Sequence, residues 1–318
     1  MKSVLITGGA GFIGQNLVKY FIKKYRIIVL DNLSSKGIAK EYLFKKNKVK
    51  FITKDISRFS DISQALKNIK IDYVIHAAAN FANENSVLNP VKDLKSNILG
   101  TLNVLELSKK KKIKKFIYLS SSCVYGDNVN VKENSKINPN ETPYAISKFS
   151  GELYVQYFKY FHKLNTVIVR VFNTYGPGEI NHKFRNVIPR FIENALKNKN
   201  LLITGNGHES RDFTYVEDLV KVINLIIKSK NPVNVINSCT GKKTKIINLA
   251  KLIIKLTNSK SQITFGASRK WDKIKKRSGS NILLKKFYKF NKYTKLENGL
   301  YKTIDWYKKK FINSKINL

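Results

Sequence analysis

The sequence predicts an α/β fold: a doubly wound parallel sheet with helices on both faces, joined to a smaller C-terminal α/β domain. Three observations carry this. Short apolar runs alternate with helical patterns as far as about residue 172. The first run leads straight into a glycine-rich turn and then a helix. The residues of chemical interest fall again and again at the C-terminal ends of the apolar runs, where open parallel sheets present their ligand crevices.

The first strand is read at 2–7, in Lys2-Ser3-Val4-Leu5-Ile6-Thr7, a run apolar enough to be buried on both faces. Gly8, Gly11 and Gly14 follow at a spacing of G-x-x-G-x-x-G, and Phe12, Ile13, Leu17, Val18, Phe21 and Ile22 carry a helical repeat. Strand, glycine turn and helix form the Rossmann-type context in which such glycines admit a pyrophosphate to the helix N-terminus. The second strand, 26–31, ends at Asp31. An acidic residue about 20 positions past the glycines is placed to grip the adenosine ribose hydroxyls and to repel a 2′-phosphate, so the expected cofactor is NAD. Asp55, after the strand at 49–53, is read either as a partner for the adenine amine or as a helix cap.

Further strands are read at 72–77, 114–120 and 166–172. The fourth ends in His76-Ala77-Ala78-Ala79, with no chemistry assigned to His76. The fifth runs into Ser120-Ser121-Ser122. Tyr144 and Lys148 stand four apart on a helix and so project from one face. A phenol has an ordinary pKa of about 10, and a neighbouring ammonium lowers it toward a usable proton acceptor. A Ser hydroxyl at a strand end can bond the same substrate oxygen. With a dinucleotide loop, these are the parts for oxidising an alcohol. Residues 1–172 are expected to form the nucleotide-binding domain, with a return segment near 211–237 whose helix at 215–229 packs back on the sheet. Residues 173–318 are expected to be mainly a substrate-binding domain.

Composition narrows the class. A chain of 318 residues with 42% apolar content buries a sizeable core. The net charge of +39 has the look of a nucleic-acid signal. Only eight of the 60 basic residues are Arg, and the lysines spread over most polar helix faces, which fits codon bias in an AT-rich genome better than a binding face. No specific nucleic-acid partner is expected. Two cysteines exclude a disulfide framework, and four scattered histidines give no metal-ligand spacing. No apolar run reaches membrane-spanning length, and no signal segment fits before the glycine loop, so a cytoplasmic location is expected.

The chain resembles the extended short-chain dehydrogenase/reductase family, in particular its nucleotide-sugar epimerases and dehydratases. The resemblance is carried by Thr7 to Gly14, Leu30-Asp31-Asn32-Leu33, His76-Ala77-Ala78, Asn97-Ile98-Leu99-Gly100-Thr101, Ser121 to Gly126, Tyr144 to Lys148, Arg170 to Pro177, Asn186 to Arg190, Gly205-Asn206-Gly207, Arg211 to Leu219 and Ile304 to Tyr307. It implies that Ser121 holds the sugar hydroxyl, that Tyr144 is the general base, and that Lys148 is its partner and contacts the nicotinamide ribose. Gly8, Gly11, Phe12, Ile13, Gly14, Asp31, Asn32, Asp55, Ile56, Ala77, Ala78 and Asn97 are then expected along the cofactor. Ser121, Ser122, Asn173, Asn186, Val187, Arg211 and Arg277 are expected along the substrate, where Arg forks suit phosphate oxygens.

One departure is informative. Family members resembling 4,6-dehydratases carry Asp-Glu directly after the catalytic Ser/Thr, whereas this chain has Ser122 and Cys123. The expected reaction is therefore NAD-dependent epimerisation at C4 of a UDP-hexose or a derivative, through a transient 4-keto sugar. The rival readings are a 4-ketoreductase or dehydratase and, from another class, an NAD-sensing or nucleic-acid-binding protein on the same fold. The family also implies a homodimer, with Leu102, Leu105, Leu107, Leu153, Tyr157 and Phe161 available for the interface.

Overall fold

The computed structural model describes residues 1–35, 49–184, 186–230, 233–269 and 274–316. Seven strands build the main sheet: β1 (Ser3–Thr7), β2 (Arg26–Asp31), β3 (Val49–Thr53), β4 (Tyr73–His76), β5 (Lys115–Ser121), β6 (Thr166–Val171) and β11 (Val235–Ser238). Their order is β11-β6-β5-β4-β1-β2-β3, and every pairing is parallel. The connection reverses direction between β1 and β4, so a crevice opens above their C-terminal ends. The six strands read from the sequence are present within about one residue; β11 adds a seventh.

Both faces of the sheet are covered, which explains why the strands read as continuous apolar runs. Alternate residues divide between two cores. Val4, Ile6, Ile27, Val29, Ile117, Val167 and Val169 pack with Leu17, Val18 and Phe21 of α1 (Phe12–Phe21) and with Leu219, Val222, Ile223 and Ile226 of α8 (Val216–Lys228). Leu5, Ile28, Leu30, Val74, Phe116 and Ile168 pack on the other side, with Ile62 of α2 (Phe59–Ala65), with Val104, Leu105 and Leu107 of α5 (Gly100–Lys110), and with Val155 and Phe158 of α6 (Pro143–His162). Each such side chain contributes about 1.5–3 kcal/mol when fully buried. Leu105 and Leu107, expected at a subunit interface, are spent on this core instead.

Local chemistry sets the helices that matter for the site. α6 begins with Thr142, whose hydroxyl accepts from Ala145 N at 3.3 Å, followed by Pro143, whose fixed φ and missing N–H suit the first turn. The helix α3 (Asn83–Leu88) leads to α4 (Pro90–Leu94), then to one wide π turn over Lys95–Leu99, and then to α5. A third core joins α7 (Val187–Leu196), α9 (Ile246–Thr257) and α11 (Leu296–Ile316) around Ile188, Phe191, Leu249, Ile253 and Leu300. Small strands support this part: β7 (Asn173–Tyr175) beside β10 (Phe213–Tyr215), β8 (Leu201–Thr204) beside β13 (Ile263–Gly266), and β9 (Ser210–Arg211) between β12 (Thr244–Lys245) and β14 (Lys276–Arg277). The short helix α10 (Ile282–Tyr288) returns to the sheet through Leu284 and Tyr288.

Candidate active site

The glycine turn above β1 is shaped by two different constraints. Gly8 has φ +68°, and a Cβ there would sit 2.6 Å from the backbone of Ala78, so the turn and the end of β4 touch with no side chain between. At Gly11 a Cβ would meet only the Gly8 carbonyl, at 3.1 Å, and otherwise open space. Gly11 is also the N-cap of α1, with no side-chain cap bond and no acid in the first turn. The first amides of α1 are therefore left to an anion in the cleft, and the cradle fits a dinucleotide pyrophosphate.

Asp31, at the end of β2, is tied to the glycine turn. Its Oδ2 accepts from Ala10 N at 2.9 Å and its Oδ1 from Leu33 N at 2.8 Å, which fixes the carboxylate while leaving lone pairs for a diol. Burial raises its pKa against the pull of these two amides. Gly8, Gly11, Phe12, Ile13, Gly14, Asp31, Asn32, Ile56, Ala77 and Ala78 line one continuous cleft with Ser121, Ser122, Tyr144, Lys148, Asn173, Asn186, Val187, Arg211 and Arg277. Asp55 and Asn97 are not among the residues lining it. Asp55 Oδ2 accepts from Asn32 Nδ2 at 2.9 Å and so orients a lining residue. Asn97 is buried in the π turn, where its Oδ1 accepts from Asn80 N at 2.7 Å.

The reactive centre lies where β5 ends. Ser121 accepts from Cys123 N at 3.2 Å as the chain turns into a 3₁₀ segment over Ser122–Tyr125. Tyr144 is 7% exposed and meets the edge of Phe81 at 6.0 Å between ring centroids. Lys148 is 3% exposed, with Nζ 4.2 Å from the centroid of the Tyr118 ring. Burial pushes the Tyr144 phenol up, reinforced by Cys123 and Asp93 and opposed by the Ser121 hydroxyl. Burial pulls Lys148 down to about 7, against the nearby carboxylates of Asp93 and Glu152. Desolvation thus outweighs the expected effect of the ammonium on the phenol: alone, the pair is a neutral-leaning couple that needs positive charge in the cleft to act as a base. His76, held by Thr7 at 2.6 Å and Thr101 at 3.0 Å, is a buried structural residue.

Toward the other end, Asn186 occupies the N-cap position of α7 without a side-chain cap bond and donates from Nδ2 to Glu179 Oε1 at 3.0 Å. Arg211 donates to the carbonyls of Ser210 and Ile274, each at 3.0 Å. Arg277 reaches the reactive centre, with Nη1 donating to Cys123 Sγ at 3.3 Å and Nη2 3.5 Å from Glu141. Two further arginines line the same cleft: Arg190, which closes the Asn186-to-Arg190 run but was given no role from the sequence, and Arg269, which was not singled out. Arg190 stands one turn after Asn186 on α7, so helical spacing alone could have flagged it. Its Nε has no hydrogen-bond partner, and burial lowers its pKa, followed by the charge of Arg269. Four of the eight arginines in the chain thus converge on one cleft.

The glycine turn lies on one side of this cleft and guanidinium groups gather on the other, with a Ser, a Tyr and a Lys also in the lining. Comparison with known proteins agrees. The family model for the NAD dependent epimerase/dehydratase family matches residues 4–239. A putative UDP-glucose 4-epimerase of Methanocaldococcus jannaschii is 36% identical over 277 residues, covering 85% of each chain. The human dTDP-D-glucose 4,6-dehydratase is 31% identical, over 99% of this chain and 92% of its own. A UDP-glucose 4-epimerase from Thermotoga maritima, solved with UDP-glucose, superposes with a TM-score of 0.92 at 31% identity, covering 97% of this chain and 99% of its own. The protein belongs to the NAD dependent epimerase/dehydratase family, as a member with the extended short-chain dehydrogenase/reductase fold.

Proposed function

We propose that this protein is an NAD-dependent nucleotide-sugar epimerase that inverts C4 of a UDP-hexose or a derivative. The observation that carries the reading is that Ser121, Tyr144 and Lys148 line the same cleft as the glycine turn, with Ser122 and Cys123 among the lining residues. Elimination of water needs an acid for the departing hydroxyl and a base for the adjacent C–H, and a Ser hydroxyl and a buried thiol supply neither at neutral pH.

NAD, when bound, accepts and returns the hydride and brings the positive charge of its oxidised ring. Tyr144 Oη takes the proton of the 4-hydroxyl, and the Ser121 hydroxyl bonds the same oxygen as it becomes a carbonyl. Lys148, in its cationic form, favours the phenolate form of Tyr144. Arg211, Arg277 and Arg190 hold the diphosphate, and Asn173 and Asn186 orient the sugar. The 4-keto sugar turns over within this grip and Tyr144 gives its proton back, so no water is lost and no cofactor is consumed. Incubation with UDP-glucose, UDP-galactose, their N-acetyl forms and UDP-glucuronate, read by NMR and mass spectrometry, tests this. A C4 epimer without added cofactor is the expected product; one lighter by a water restores the dehydratase reading.

The same reading includes a homodimer. Leu153, Tyr157 and Phe161 are exposed on α6, beside exposed Val91 and Leu94 of α4 and Leu99 of the π turn. An apolar face of this kind on two adjoining helices suits pairing with a second copy. Among the described residues no helix is long and apolar enough to cross a membrane, and a cytoplasmic location accords with the use of nucleotide sugars as substrates.

A further inference from the structure

Asp93 lies on α4, the helix that packs against α6 and α3, and it is 1% exposed. Its Oδ1 accepts from Asn97 Nδ2 at 2.8 Å, while its Oδ2 makes no hydrogen bond. A buried carboxylate with one oxygen left without a hydrogen bond is costly, and its retention calls for a reason. The contacts around it supply one. The Asn97 amide that Asp93 engages also donates to Ser147 Oγ at 3.0 Å, and the Ser147 hydroxyl donates to the Tyr144 carbonyl at 3.1 Å. A chain of hydrogen bonds therefore runs from Asp93 into the helical turn that separates Tyr144 from Lys148. Because Asp93 can only accept, it obliges Asn97 to present its NH₂ toward α4 and its oxygen toward Asn80 N.

The charge of Asp93 bears on the same place. Of the carboxylates acting on Lys148, Asp93 is the stronger and Glu152 the weaker, and Glu152 is already committed to Arg170. From α6, Asp93 is faced by Lys148 and Tyr144, and from β5 by Tyr118. On α3 the titratable group is Glu84, which acts on Arg190 across the cleft. Lys92 and Lys95, on the elements of Asp93 itself, are exposed to solvent. His76, from β4, is neutral and fully buried.

We propose that Asp93 is the positioning residue of this site: its carboxylate fixes the Asn97 amide and supplies negative charge that favours the ammonium form of Lys148 on the helical turn after Tyr144. The inference rests on the reading of Tyr144 and Lys148 as the proton-handling pair. Burial holds the Asp93 carboxyl up at about 6, against the pull of Ser147, Lys148 and Asn80, so the charge is present at neutral pH and fades in mild acid. Asn97 and Asp93 are thus a supporting layer to a cluster in which the sequence singled out only Asn97.

The test titrates Lys148 directly, by competitive amine labelling of the protein across pH with mass spectrometry of the peptide that contains it. Asp93→Asn keeps the shape and the bond to Asn97 and removes only the charge. Its Lys148 midpoint should fall by about one pH unit or more, the scale for losing an opposite charge at close range. The alkaline limb of kcat/KM should move down with it, and Asp93→Glu should keep both near the unsubstituted values. An unmoved midpoint in Asp93→Asn, or an equal fall in Asp93→Glu, overturns the inference. So does a loss of rate that is the same at every pH. Labelling needs neither substrate nor cofactor, so a protein that makes no epimer while Lys148 still answers to Asp93 counts against the enzymatic reading alone.

Discussion

Glu152 and Arg170 form a buried ion pair directly beneath the reactive centre. Arg170 Nη2 donates to Glu152 Oε2 at 2.7 Å and Nε donates to Oε1 at 2.9 Å, with the two side chains 0% and 4% exposed. Ser120, the neighbour of Ser121, donates to the same carboxylate at 2.5 Å, and Tyr125 takes the remaining arm of Arg170 at 2.8 Å. The pair ties α6 to β5, β6 and the 3₁₀ turn.

Removing one partner leaves an uncompensated buried charge. Arg170→Ala or Glu152→Ala should therefore cost about 3–5 kcal/mol in denaturant unfolding. Replacing both by apolar residues of similar size should recover much of that, because no orphaned charge remains. Equal losses in the single and double variants would show that the pair contributes through shape and not charge.

What the sequence made legible was local. The glycine turn, the apolar strands and the four-residue spacing of Tyr144 and Lys148 are written in adjacent residues, and periodicity reads them. β11 was harder, because Val235-Ile236-Asn237-Ser238 has too few apolar residues to stand out, and only its pairing with Ile168 to Val171 makes it a strand. Arg269 and Asp93 were not legible either: their neighbours Arg190 and Lys148 are far away in the chain, and only tertiary packing brings them together. The raised phenol of Tyr144 also depends on burial, which spacing cannot supply.

Tyr144→Phe removes the oxygen proposed to accept the proton and little else, since the ring stays packed against Phe81 and Ala145. Turnover should fall by at least ~10²-fold, with NAD affinity by calorimetry unchanged. Near-normal turnover in this variant would put the proton transfer on another group.

Asp31→Ser should weaken NAD binding and relax discrimination against NADP together. The first effect follows from losing the acceptor for Ala10 N, which steadies the glycine turn. The second follows from removing a charge that repels a 2′-phosphate. Calorimetry with both cofactors separates them, and tighter binding of NADP than NAD by the unsubstituted protein would falsify the assignment.

His76 is held neutral by burial, with its pKa lowered from 6.5 to about 3. The unfolded chain therefore binds a proton that the folded chain refuses. This contribution to stability is complete above about pH 6.5 and is lost steadily as pH falls toward 3. A Gln in place of His76 should flatten the fall of Tm between pH 7 and 5. A variant with the unsubstituted slope would assign the acid sensitivity to other groups.

The apolar face of α6 can be probed by charge. Sedimentation of the unsubstituted protein at micromolar concentration should give a dimer, and Tyr157→Glu together with Leu153→Glu should give a folded monomer. A monomer from the outset rejects the pairing.

The late return of β11 to the sheet bears on how this protein is made. A nascent chain that has emerged only through β6 carries an open sheet edge, and the face later covered by α8 shows Val29, Ile117 and Val169 to the surroundings. The face stays bare until α8 is complete at Lys228, and the edge stays open until Ser238 has left the ribosome, some 67 residues after Val171 completes β6. Edge strands with apolar faces invite pairing with other chains. Translation pauses or truncations between these two points should therefore yield aggregates, and holdase chaperones should be most needed over that interval.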